Sequence, residues 1–240
     1  MKRSVIKQAT IWLGLLLLSA CGSAGQPVPD WKTDAVDFIE RYKKHALLGD
    51  HVVAERFFQR ALHATGGAGR ITETARLWLV HCATRRANLQ DDDCSEYAEL
   101  AKLETSATDR AYYQFVTLKW AELDVANLPT HYAALVKSDT ARLNTQIAAI
   151  EDPLSRLLAT SLVTQRGQAD HATLVIAMET ASTQGWRQPL LTYLKLLEKS
   201  AASRGMSSEQ QAYAVRIRLI EEALRSTSGK PLADPLKPLP

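Results

Sequence analysis

An all-α fold of antiparallel helical hairpins, stacked as a repeat-like array or packed as an irregular bundle, is what three features of this 240-residue chain predict. Val, Ile and Thr never form long alternating runs, so strand signals are weak. Apolar residues recur instead at helical spacing, as in Tyr213, Ile217, Ile220 and Leu224, or Ile71, Ala75, Trp78 and Cys82. Prolines, glycines and capping residues punctuate the chain often, and the short loops they leave favour antiparallel neighbours.

The chain opens with Lys2, Arg3 and Lys7, then the apolar run Ile11–Leu18. That run falls short of the roughly 20 apolar residues a spanning helix needs. A basic start, a short apolar segment and small residues make an export signal. The stretch Leu18-Ser19-Ala20-Cys21 ends it on a cysteine and resembles the lipobox of bacterial lipoproteins. The resemblance covers the first twenty-one residues. It implies that residues 1–20 are cleaved, that the Cys21 thiol carries a diacylglycerol, and that the freed amine is acylated, giving a palmitate-type anchor in the membrane. Because Gly22 and not aspartate follows Cys21, the resemblance implies the periplasmic face of the outer membrane.

Cleavage changes the charge reading. The chain holds 29 Lys+Arg and 26 Asp+Glu, and three of the basic residues lie in the signal, so the mature chain is formally neutral. A neutral, exported chain offers no electrostatic footprint for nucleic acid, and no such partner is expected. With Cys21 lipidated, Cys82 and Cys94 remain, and an even pair in an oxidising compartment predicts one disulfide. Bridging them requires residues 88–93 to fold back on the helix that carries Cys82.

Gly22–Asp30 is small, polar and proline-containing, a tether over 21–32. Helices are then predicted over 33–48, 51–64, 70–88, 94–103, 107–125, 130–150 (with a break near Ser138), 153–166, 169–184, 189–204 and 207–225. Asp152-Pro153 places an N-cap residue before a proline at the first helical position. Gly167, Gly185 and Gly205 fall where helices end, and Asp93 with Glu96 has capping-box spacing. The helical domain spans 33–226, and the tail 227–240, with four prolines, is expected to be extended and poorly ordered.

Within the domain, Gly49-Asp50 followed by Ala54, Phe58 and Ala61 resembles the turn and second helix of a tetratricopeptide repeat. The match covers about half a repeat, and Tyr42 stands where the family has a small residue. The resemblance implies that Gly49 forms the turn, that Ala54 and Ala61 let helices approach closely, and that Phe58 fills the gap between them. It also implies a concave binding face of the kind stacked helix pairs form.

Catalytic chemistry finds little support. The histidines His45, His51, His63, His81, His131 and His171 form no zincin pair, and no metal or cofactor is expected. Asp91-Asp92-Asp93 lacks the alternating ligands of a calcium loop and reads as a solvated turn with Asp93 capping the next helix. Gly66-Gly67-Ala68-Gly69 lacks the Lys-Ser/Thr ending of a phosphate cradle. Arg41, Lys43, Lys44 and His45 form a basic cluster flanked by Glu40 and Asp50, a solvated helix face ahead of a headgroup contact. The reading is a non-catalytic, membrane-anchored adaptor or scaffold that binds an envelope or periplasmic protein. The alternative is a periplasm-facing enzyme or small-ligand-binding helical protein without a recognisable motif.

Overall fold

In the computed structural model, which describes residues 27–227, no strand occurs among the described residues and eleven α-helices carry the fold. Cys21, the expected signal over 1–20 and the expected extended tail beyond 227 lie outside the described residues. The helices are α1 (Asp30–Leu48), α2 (His51–Gly67), α3 (Ile71–Ala87), α4 (Ser95–Ala101), α5 (Ala107–Val116), α6 (Thr130–Val136), α7 (Leu143–Ala148), α8 (Pro153–Gln165), α9 (His171–Gln184), α10 (Arg187–Ser203) and α11 (Ser207–Thr227). None is long and apolar enough to cross a membrane.

Helix ends follow their chemistry. Asp152 accepts from the Ser155 amide at 2.7 Å while Pro153 opens α8, and Asp170 forms a full capping box with Thr173 at the start of α9. Gly167, Gly185 and Gly205 take the left-handed conformation just past α8, α9 and α10, as expected. Several predicted boundaries move. The first helix begins at Asp30 and not at 33: Pro29 sits before it, and its carbonyl accepts from Lys32 N at 2.9 Å. The helix predicted over 107–125 stops at Val116, because Leu118 turns left-handed (φ 63°). Trp120 then folds back, stacks on Phe115 with centroids 5.4 Å apart, and donates its indole N–H to the Phe115 carbonyl at 2.9 Å. The segment 130–150 breaks, as anticipated near Ser138, into α6, a 3-10 turn over Thr140–Arg142, and α7.

Two apolar clusters organise the packing. The larger gathers Tyr97, Phe115, Ile147, Leu157, Leu162, Tyr193, Leu194 and Leu197 from the centre and C-terminal half. The smaller belongs to the first hairpin and α3: Ile39, Tyr42, Ala46, Ala54, Phe58, Ala61 and Leu77. Trp78 packs against both. Sequence neighbours pair in order through α1–α2–α3 and through α8–α9–α10–α11, but α3 also packs on α8, and α10 on α1. In a linear repeat array each unit touches only its neighbours. The cross-contacts therefore give the described domain the packing of an irregular helical bundle.

Gly49 marks one crossing. Its φ of 88° disfavours any other residue, and a Cβ there would meet Gln188 Oε1 at 3.3 Å and Leu224 Cδ2 at 3.4 Å. The α1–α2 turn thus presses against the α10–α11 pair.

Candidate functional site

Three features converge where α1, α2 and α3 meet: a buried aromatic cluster, a polar cleft and a disulfide loop. The cluster is centred on Phe58, which is fully buried, as are Ala61 and nearly Ala54. Its ring lies 5.2 Å from Tyr42, 4.8 Å edge-on to Trp78 and 4.4 Å from His81. The alanines at 54 and 61 place the α1 and α2 backbones close enough for this contact. Tyr42, large where a tetratricopeptide repeat carries a small residue, donates its hydroxyl to the His81 carbonyl at 3.3 Å and so pins α1 to α3. Burial pushes the Tyr42 hydroxyl pKa well above its ordinary value, so it stays protonated and donating.

The cleft, of about 80 Å³, is lined by Tyr42, His51, Glu55, His81, Arg85 and Asn88 among others. His81 Nε2 lies 3.8 Å from a Glu55 carboxylate oxygen. Burial lowers the His81 pKa below its ordinary value, against the opposing pull of Glu55 and Asp92. Asn88 is 3% exposed and its Oδ1 has no hydrogen-bond partner.

Stability should follow His81 with a definite sign. The unfolded chain binds this proton at a higher pH than the native one, so stability present above the ordinary histidine range is lost as pH falls through the lowered native value. Thermal melts from about pH 7 to about pH 5 should show a steeper loss for wild type than for His81→Gln. Equal slopes would place the proton uptake elsewhere.

The Cys82–Cys94 disulfide forms, with Cα atoms 5.3 Å apart. The chain folds back as required: Leu89 and Cys94 both adopt left-handed backbone (φ 57° and 55°). Asp92 fastens the loop. Its carboxylate pairs with Arg85 Nε at 2.8 Å and accepts from the Cys94 amide at 2.9 Å, while its carbonyl accepts from Arg86 Nη1 at 3.0 Å. The acidic run is thus a structural clasp, and the capping role expected of Asp93 shifts by one position. Cys94, without a side-chain cap, precedes α4, and Asp93 Oδ1 accepts from Ser95 N at 3.1 Å. The two sulfurs and Asp92 come within a metal-sized cluster, but sulfurs joined to each other offer no thiolate.

Arg86, buried and missed by sequence reasoning, links this region to α8. Its guanidinium donates to Gln165 Oε1, and its carbonyl accepts from Ser161 Oγ and from Gln165 Nε2. A buried arginine leaves no periodicity signal, and only the contact with α8 reveals it.

The side of the hairpin away from α3 is different in character. Arg60 lies 4.1 Å over the Phe38 ring and Arg41 5.5 Å over Phe57. The two phenylalanines stack at 6.4 Å, His45 stacks on Phe57 at 5.5 Å, and Val53 on the same side is 37% exposed. Within the basic cluster, Arg41 pairs with Asp37 at 2.8 Å and Lys43 with Glu40 at 2.6 Å, in keeping with a solvated face.

No family model matches this chain, and no curated protein and no solved structure matches it.

Proposed function

We propose that this chain is a bacterial lipoprotein, anchored through acyl groups on Cys21 in the outer membrane, whose helical domain acts as a non-catalytic scaffold binding an envelope or periplasmic protein. The lipobox-like Leu18-Ser19-Ala20-Cys21 supports the anchor. The observation that carries the binding role is the face built from Phe38, Arg41 and His45 of α1 and Val53, Phe57 and Arg60 of α2. Aromatic residues and arginine are the types that protein interfaces concentrate. Here the arginines lie over the rings, which holds them in place before any partner arrives and lowers the ordering cost of association. The neighbouring cleft, at about 80 Å³, is well below the ~300 Å³ at which small-molecule sites begin.

A photoreactive residue placed at Val53 in intact cells should yield one discrete adduct, and one at Lys199 on α10 should not. Substituting Arg60→Glu should weaken the Val53 adduct. Indistinguishable adduct patterns from the two positions would refute a partner-binding role for this face.

A further inference from the structure

The bundle has two unlike ends. Three stretches meet at the end where the chain enters: residues 27–31, the α2–α3 connection and the α4–α5 connection. Arg70 lies over the Trp31 ring, 5.3 Å from its centroid, and pairs with Glu73 at 2.7 Å. Glu104 is near enough for its charge to act on Arg70, and Arg76 pairs with Asp109 at 3.0 Å. The disulfide turns α4 back along α3, and Glu104, next to Leu103, comes within electrostatic reach of Arg70. This end exposes Val28 (61%), Ile71 (40%) and Leu103 (72%) around a half-buried Trp31. Its ion pairs Arg70–Glu73 and Lys102–Glu99 are local and self-neutralising.

The other end, about 25 Å away along α3, is polar. There Ala46 and His51 meet Asn88 and Gln90 around the cleft, and Asp50 and Asp91–Asp93 cluster in the adjoining turns. Only eight residues lie between Cys21 and Asp30, a reach of at most about 30 Å. The chain enters the bundle at the apolar end, through residues 27–31, so a lipid on Cys21 brings that end nearest the membrane.

We propose that the end of the bundle bearing Val28, Trp31, Ile71 and Leu103 rests in the interface of the phospholipid bilayer to which Cys21 is tethered. This rests on the lipid-anchor reading. Exposed aliphatic residues around a tryptophan are the composition of an interfacial contact. With few unpaired basic residues at this end, insertion of apolar side chains drives the contact, and added salt does not release it. The contact leaves the Phe38–Arg60 side of the hairpin facing the periplasm.

The test couples the mature chain to a maleimide lipid through Cys21, the thiol outside the disulfide, on phosphatidylcholine vesicles with acyl-chain bromines. Tryptophan emission should be quenched, and Trp31→Phe should lose that quenching. Ile71→Asp combined with Leu103→Asp, both at exposed positions, should also lose it with the thermal melt unchanged. Equal quenching in wild type and Trp31→Phe, no quenching in wild type, or undiminished quenching in the Asp pair would each overturn the proposal. Because the lipid is attached in vitro, failure counts against the docking end and not against acylation in cells, which palmitate incorporation reads separately.

Discussion

Phe58→Ala should cost about 3–5 kcal/mol and lower the melting temperature by roughly 10 °C. The ring is fully buried and in contact with Tyr42, Trp78 and His81, three residues on two helices. Its loss leaves a cavity that the alanines at 54 and 61 are too small to fill. The cluster it anchors is the smaller of the two cores, so the first hairpin has little else holding it to α3. Any binding through the outer face of that hairpin should fall with stability, and both should recover partly in Phe58→Leu. The check is a thermal melt of each variant beside wild type. An unchanged melt for Phe58→Ala would mean the ring is not packed between these helices.

Breaking the disulfide should be nearly as costly. In the chain-entropy account a loop of this size contributes about 3 kcal/mol. The effect should be concentrated on α4, a seven-residue helix too short to persist alone in water. Cys82→Ala with Cys94→Ala should therefore lower the melting temperature and free the α4–α5 connection to protease attack, while the Asp92 contacts to Arg85 and Arg86 limit the damage. Alkylation of the unreduced, denatured chain should leave both cysteines unmodified. Ready alkylation of both would contradict the bridge.

Most of the fold is legible in the sequence because its signals are local. Periodicity identifies Leu194 and Leu197 as core, proline and aspartate start α8, and glycines end α8, α9 and α10. Where the reading fails, a tertiary contact outweighs local preference. The helix predicted to run to 125 ends at Val116 because Trp120 gains more by stacking on Phe115 than by continuing the helix. Ile71, placed on a buried stripe, is exposed because that position lies at the apolar end of the bundle. The packing of α3 on α8 and of α1 on α10 has no counterpart in local patterning, and neither does buried Arg86. Of the site, Phe58, Ala54 and Ala61 stand out through the resemblance of their stretch to a repeat helix, and the cysteine pair through its even count in an exported chain. The cation-covered phenylalanines do not, since each looks like ordinary core material on its own helix.

Cys21 carries the central claim, and intact mass analysis of the protein purified from membranes of the native host tests it most directly. The predicted result is a chain whose N-terminal residue is Cys21 bearing diacylglycerol and an amide-linked acyl group, absent from Cys21→Ala along with palmitate incorporation and membrane fractionation. A mature chain beginning elsewhere, or a Cys21→Ala variant that still takes up palmitate and stays with the membrane, would contradict the account.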